Sequence, residues 1–82
     1  MSRSIFTADY RRLCQVLIQA RETEGITQAA LAARLQRPQS FVSKYERSER
    51  RLDVVEFLEV VEALCLDPCE VIKAIKQVDT NL

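Results

Sequence analysis

Gln39, Ser40, Ser43 and Lys44 fall at i, i+1, i+4 and i+5, a spacing that gathers polar side chains on one face of a helix. An amide, two hydroxyls and an ammonium are donors and acceptors sized for base edges, and Arg47 nearby adds a cation suited to phosphate. Val42 and Tyr45, three apart, face the other way, toward a core. The helix over 38–47 that carries these residues is expected to begin at Pro38, since a proline loses no hydrogen bond at a first helical position. Upstream, a helix over 28–35 has Thr27 as its N-cap and an apolar stripe of Leu31, Ala32 and Leu35. Ala29, Ala30 and Ala33 are small enough for another helix to lie close. The break falls at Gln36 and Arg37, so residues 27–47 read as helix, tight turn and helix with a polar, basic outer face.

This segment resembles the helix-turn-helix of the phage repressor and Cro (XRE) family of transcriptional regulators, and also resembles the small controller proteins of restriction–modification systems. The likeness covers about 10–75 and rests on Thr27-Gln28, Leu31-Ala32, Leu35, Val42-Ser43 and Glu46-Arg47 at fixed spacing. It implies that Gln39 and Ser40 are the main base-reading residues, the amide suited to adenine and the hydroxyl permissive. Ser43 and Lys44 follow one turn on, where Lys44 reaches guanine acceptors or a phosphate. Gln28 matches the position whose amide spans from a phosphate to a recognition-helix side chain, the alternative being a solvated first-turn residue. Arg37, Arg47, Arg50 and Arg51 look like phosphate clamps, although any one of them alone also fits a solvated charge. Phe41, at the border of the reading face, either touches a thymine methyl or packs beside the next helix. Arg21 and Glu46 stand where the family often pairs an Arg late in the first helix with the Glu that ends the recognition helix; a partly buried pair is expected. Two departures stand out: Gln36 and Ser48 occupy places where the family usually has Gly, or Gly and Asn, and a left-handed residue with a side chain costs roughly 1 kcal/mol.

The scaffold reads as five helices and no strand. A first helix over 8–24 is capped by Thr7, carries Leu13, Val16, Leu17 and Ala20 as its stripe, and ends at Gly25, the sole glycine. Asp53 with Glu56, and Asp67 with Glu70, resemble capping boxes that open a fourth helix to about 64 and a fifth to about 78. The expected fold class is all-α: a compact five-helix bundle with a helix-turn-helix, a single domain over 1–82 of lambda-repressor-like type. Helices four and five, about 53–78, would serve the core and dimer contacts. The fourth helix has more apolar residues than one face can use. Val54, Phe57, Leu58, Val61 and Leu64 form a stripe while Val55 and Val60 point elsewhere, and the fifth helix adds Val71, Ile72, Ile75 and Val78. A symmetric second copy meeting Val55, Val60, Ile72 and Ile75 is the simplest cover, the alternative being a monomer covered by the fifth helix alone.

Charge sorts along the chain. Residues 1–51 hold ten Lys and Arg against five Asp and Glu, and residues 52–82 hold two against seven, although the net charge is +0. A basic end would be drawn to phosphates, and an acidic end left for protein contacts. With no histidine there is no usual general base, no Ser-His or Cys-His pair and no Cys₂His₂ site. Cys14, Cys65 and Cys69 form no Cys-x-x-Cys pair, so neither enzyme chemistry nor a metal or other cofactor is expected. There is no signal-peptide core and no membrane-length apolar run, and the expected compartment is the cytoplasm. Together these readings predict a sequence-specific DNA-binding transcriptional regulator, a repressor or controller, bound as a homodimer to a palindromic operator in double-stranded DNA. The alternatives are an antitoxin-like regulator that also binds a second protein, and a helical adaptor without a DNA role.

Overall fold

Residues 7–76 are described in the computed structural model of the chain, and they form five helices: α1 (Ala8–Thr23), α2 (Gln28–Leu35), α3 (Gln39–Glu46), α4 (Val54–Ala63) and α5 (Pro68–Lys76). Each start has a local cause. Thr7 and Thr27 accept hydrogen bonds from the backbone N–H groups of Tyr10 and Ala30. At α4 the capping box is complete: the Asp53 carboxylate accepts from Glu56 N at 2.7 Å, and Glu56 accepts from Asp53 N at 3.0 Å. The second acidic start differs from expectation, since Asp67 accepts from Cys69 N at 2.9 Å while Glu70 turns to Lys73. Pro38 also shifts by one place. It is the N-cap of α3, extended at ψ 153°, and its carbonyl accepts from Phe41 N. The expected extension of α5 to Val78 lies outside the described residues.

The first four helices end alike. Gly25, Gln36, Ser48 and Cys65 all take a left-handed conformation, with φ of 71°, 58°, 61° and 59°. At each one, its own N–H and that of the next residue bond back to carbonyls of the last helical turn. Ile26 and Leu66, which follow two of these residues, fold onto the core. The missing glycines therefore leave the turns unchanged in shape, and three of the four turns carry the steric cost of a Cβ.

The core joins Leu17 of α1, Leu31 and Ala32 of α2, Phe41, Val42 and Tyr45 of α3, Val60 and Val61 of α4 with its C-cap Leu64, and Val71 of α5. α1 packs on α3 and α5, and α2 packs on α3 and α4. The expected inward faces of α2 and α3 are thus found. The expected face of α4 is not. Val60, assigned to a dimer contact, is fully buried in the chain's own core, whereas Val54 and Leu58, assigned to the core, are exposed. Both 54-57-58-61-64 and 57-60-61-64 obey helical spacing, and packing against α2 selects the second.

Candidate nucleic-acid interface

With Val42 and Tyr45 locked into the core, α3 turns Gln39, Ser40 and Lys44 outward and leaves Ser43 half-buried. Ser43 Oγ donates to the Ser40 carbonyl at 3.3 Å, so its oxygen keeps its capacity to accept. Lys44 is exposed and takes part in no ion pair among the described residues. The four expected base-reading residues therefore do share one accessible strip.

Behind the strip lies a chain of polar contacts. Arg21 donates from Nε to Glu46 Oε2 at 2.7 Å, from Nη2 to Glu46 Oε1 at 3.1 Å, and from Nη1 to the Ile26 carbonyl at 2.7 Å. The two side chains are 12% and 4% exposed, so the expected pair is present and partly buried. Gln28 Nε2 donates to Glu46 Oε1 at 2.8 Å, and Gln39 Nε2 approaches Gln28 Oε1 at 3.4 Å. Gln28 thus connects α2 to two side chains of α3.

The four expected phosphate arginines divide. Arg51 is exposed, its guanidinium over the Tyr10 ring at 5.0 Å, and Arg47 has only an exposed pair with Glu49 at 3.2 Å. Such surface pairs are worth little and exchange readily for a phosphate. Arg50 is different. It forks onto Glu56 through two bonds of 2.9 and 2.8 Å and lies over the Phe41 ring at 4.8 Å. Leaving for a phosphate would strand a buried carboxylate that also caps α4, so the fork ties Arg50 to the start of α4. Arg37 has a partly exposed pair with Glu59 at 3.0 Å and lies over the Phe41 ring at 4.6 Å.

Phe41 is therefore a hub that fastens α3 to α4, buried between two guanidiniums and edge-on to Tyr45 at 5.7 Å. Of its two expected alternatives, packing holds. Tyr10 fastens the α3–α4 connection from the other side, donating to the Arg50 carbonyl at 2.8 Å and accepting from Leu52 N at 3.1 Å. Burial pushes the Tyr10 phenol up to about 12, aided by Cys14. Arg50 and the Asp53 N–H hold Glu56 down at about 2. Tyr10 was not assigned this task from sequence, and the packing alternative for Phe41 came without its two guanidinium partners; the one available signal for them was an aromatic on the reading helix followed by two arginines and a capping box.

Among the described residues, the exposed large apolar side chains lie on α4 and α5. Val54 and Val55 are 72% and 64% exposed, and Leu58 and Ile72 are about half exposed. Val54, Leu58 and Ile72, with Leu13, Phe57 and Ile75, border a groove of about 310 Å³. Of the expected dimer residues, Val55 and Ile72 are on this surface, Ile75 lines the groove, and Val60 is excluded from it. Among the described residues no helix is long and apolar enough to cross a membrane.

A short capped helix, a left-handed turn and a second helix with an inward apolar and an outward polar face define a helix-turn-helix DNA-binding protein. The family model described as "Helix-turn-helix domain" matches residues 12–72. Among solved structures the chain is similar to an XRE-family like protein from Pseudomonas syringae pv. tomato, with 48% identity, 85% of each chain covered and a TM-score of 0.81. It is also similar to the restriction-modification controller protein C.AhdI from Aeromonas hydrophila, with 31% identity over 79% of this chain and 98% of that one, and a TM-score of 0.73. The controller protein C.Esp1396I shares the fold at 18% identity, with 87% and 92% of the two chains covered and a TM-score of 0.79. No curated protein matches. The chain belongs to the XRE family of helix-turn-helix proteins, and it is a DNA-binding transcription regulator.

Proposed function

We propose that residues 1–82 act as one domain that binds a palindromic operator as a homodimer, in the role of repressor or controller. The observation that carries this reading is the outer strip of α3, where Gln39, Ser40, Ser43 and Lys44 stand together on a helix whose opposite face is locked into the core. Gln39, Ser40, Ser43 and Lys44 read base edges, and Gln28, Arg47 and Arg51 hold phosphates. The exposed apolar surface of α4 and α5 supports a two-fold partner, since a second copy covering Val54, Val55, Leu58 and Ile72 sets two α3 helices about a dyad. The controller role draws support from the similarity to C.AhdI, whose description is that of a restriction-modification controller protein.

Sedimentation at micromolar concentration should give the mass of two chains. A labelled duplex from the region upstream of the protein's own gene should bind with salt-dependent affinity and outcompete random duplexes. A monomer that binds no duplex would refute the proposal.

A further inference from the structure

The polar chain behind α3 has a direction. A carboxylate accepts hydrogen bonds and donates none, so the Gln28 atom that faces Glu46 at 2.8 Å is Nε2. Gln28 Oε1 is thereby turned toward α3, and as an acceptor it faces Nε2 of Gln39 at 3.4 Å. One N–H of the Gln39 amide is thereby turned toward the scaffold, while its oxygen and second N–H remain for a ligand. An oxygen beside an N–H matches the adenine edge, with its N6 amino group and N7; a freely turning amide also presents N–H groups to guanine O6 and N7. Glu46 is itself gripped through both oxygens by Arg21, and its side chain is 4% exposed, so it does not touch DNA.

We propose that Glu46 is a positioning residue that sets the base preference of Gln39 through Gln28, favouring adenine over guanine. The inference rests on α3 being the base-reading helix and adds to it a residue with no access to the bases. A Gln28 that merely filled space beside α3 would predict no such effect.

The test is selection from a library of DNA duplexes with a randomised central segment, using the full chain and its variants, with folding checked by thermal melts. Wild type should enrich adenine over guanine at one position per half-site, and Gln39→Ala should erase that preference. Gln28→Met keeps side-chain length and leaves the Arg21–Glu46 pair intact. Glu46→Gln lets either amide atom face Gln28. Both should lower the adenine-to-guanine ratio at the Gln39 position by about five- to tenfold, with other positions kept. Loss of a Gln28 phosphate contact lowers affinity for every sequence alike and cancels in that ratio. If Glu46→Gln does not fold, Gln28→Met decides. A wild-type ratio in Gln28→Met, with Gln39→Ala still erasing the preference, overturns the relay alone. A wild-type protein that enriches no sequence overturns the base-reading role of α3 and the relay with it.

Discussion

Arg21→Ala should destabilise the protein through the charge it strands. The guanidinium makes two bonds of 2.7 and 3.1 Å to Glu46 and a third of 2.7 Å to the Ile26 carbonyl. Glu46 would keep only the Gln28 amide, within a site that leaves its side chain 4% exposed. Breaking a buried pair in this way costs about 3–5 kcal/mol, and partial hydration at the 12% exposed Arg21 places the expected loss near the lower end, about 3 kcal/mol. For a chain of this length the whole stability is only about 4–12 kcal/mol. With a urea dependence of about 1 kcal/mol per molar, the midpoint followed by helical circular dichroism should fall by about 2–3 M. A double variant, Arg21→Met with Glu46→Leu, should recover most of the loss, because an apolar pair needs no compensation. An Arg21→Ala midpoint equal to wild type would refute the pairing, and a double variant as unstable as the single one would refute the stranded charge as the cause.

Further outcomes test the other parts of the structure. Val55→Lys should yield a folded monomer with weakened operator binding, whereas Val60→Glu should unfold the chain because its side chain has no solvent access; a dimer persisting in Val55→Lys by sedimentation would relocate the interface. Glu56 is lowered from its ordinary 4.5 to about 2, so its contribution is complete above the ordinary value and is lost as pH falls toward 2. Melting temperatures over that range should fall more for wild type than for Glu56→Gln, and parallel curves would contradict the assignment. Arg51→Ala should weaken operator and random duplexes alike and reduce the magnitude of the salt slope by roughly 1. Arg50→Ala should instead cost stability and leave that slope unchanged; interchanged effects in a salt titration would reverse the two roles. Gln36→Gly and Cys65→Gly, at left-handed positions, should each raise stability by about 0.5–1 kcal/mol, and lower melting temperatures would show that the turns are unstrained.

Helix starts and ends were legible because their causes lie within four residues. A threonine three residues before the N–H it caps, the Asp53-x-x-Glu56 pair and a glycine after a periodic run act through near neighbours, although the same pattern at Asp67 and Glu70 forms no box because Glu70 turns to Lys73. The same locality made the outer strip of α3 readable, since Val42 and Tyr45 fix its inward side by spacing alone. The Arg21–Glu46 pair was accessible through family resemblance, not spacing, because its partners are far apart in the chain. Only tertiary structure decided the rotation of α4 and the fates of the arginines. In α4 several apolar stripes obey helical spacing equally, and the choice rests on which one α2 meets, which put Val60 inside and Val54 and Leu58 outside. A guanidinium in a loop is a phosphate clamp or a structural tie according to which acid it finds. Arg50 finds Glu56 and Phe41, while Arg51, next to it in sequence, lies exposed over Tyr10 and meets no acid among the described residues. Local hydrogen bonding and periodicity are written in neighbouring residues; partner choice across helices depends on positions that exist only once the chain has folded.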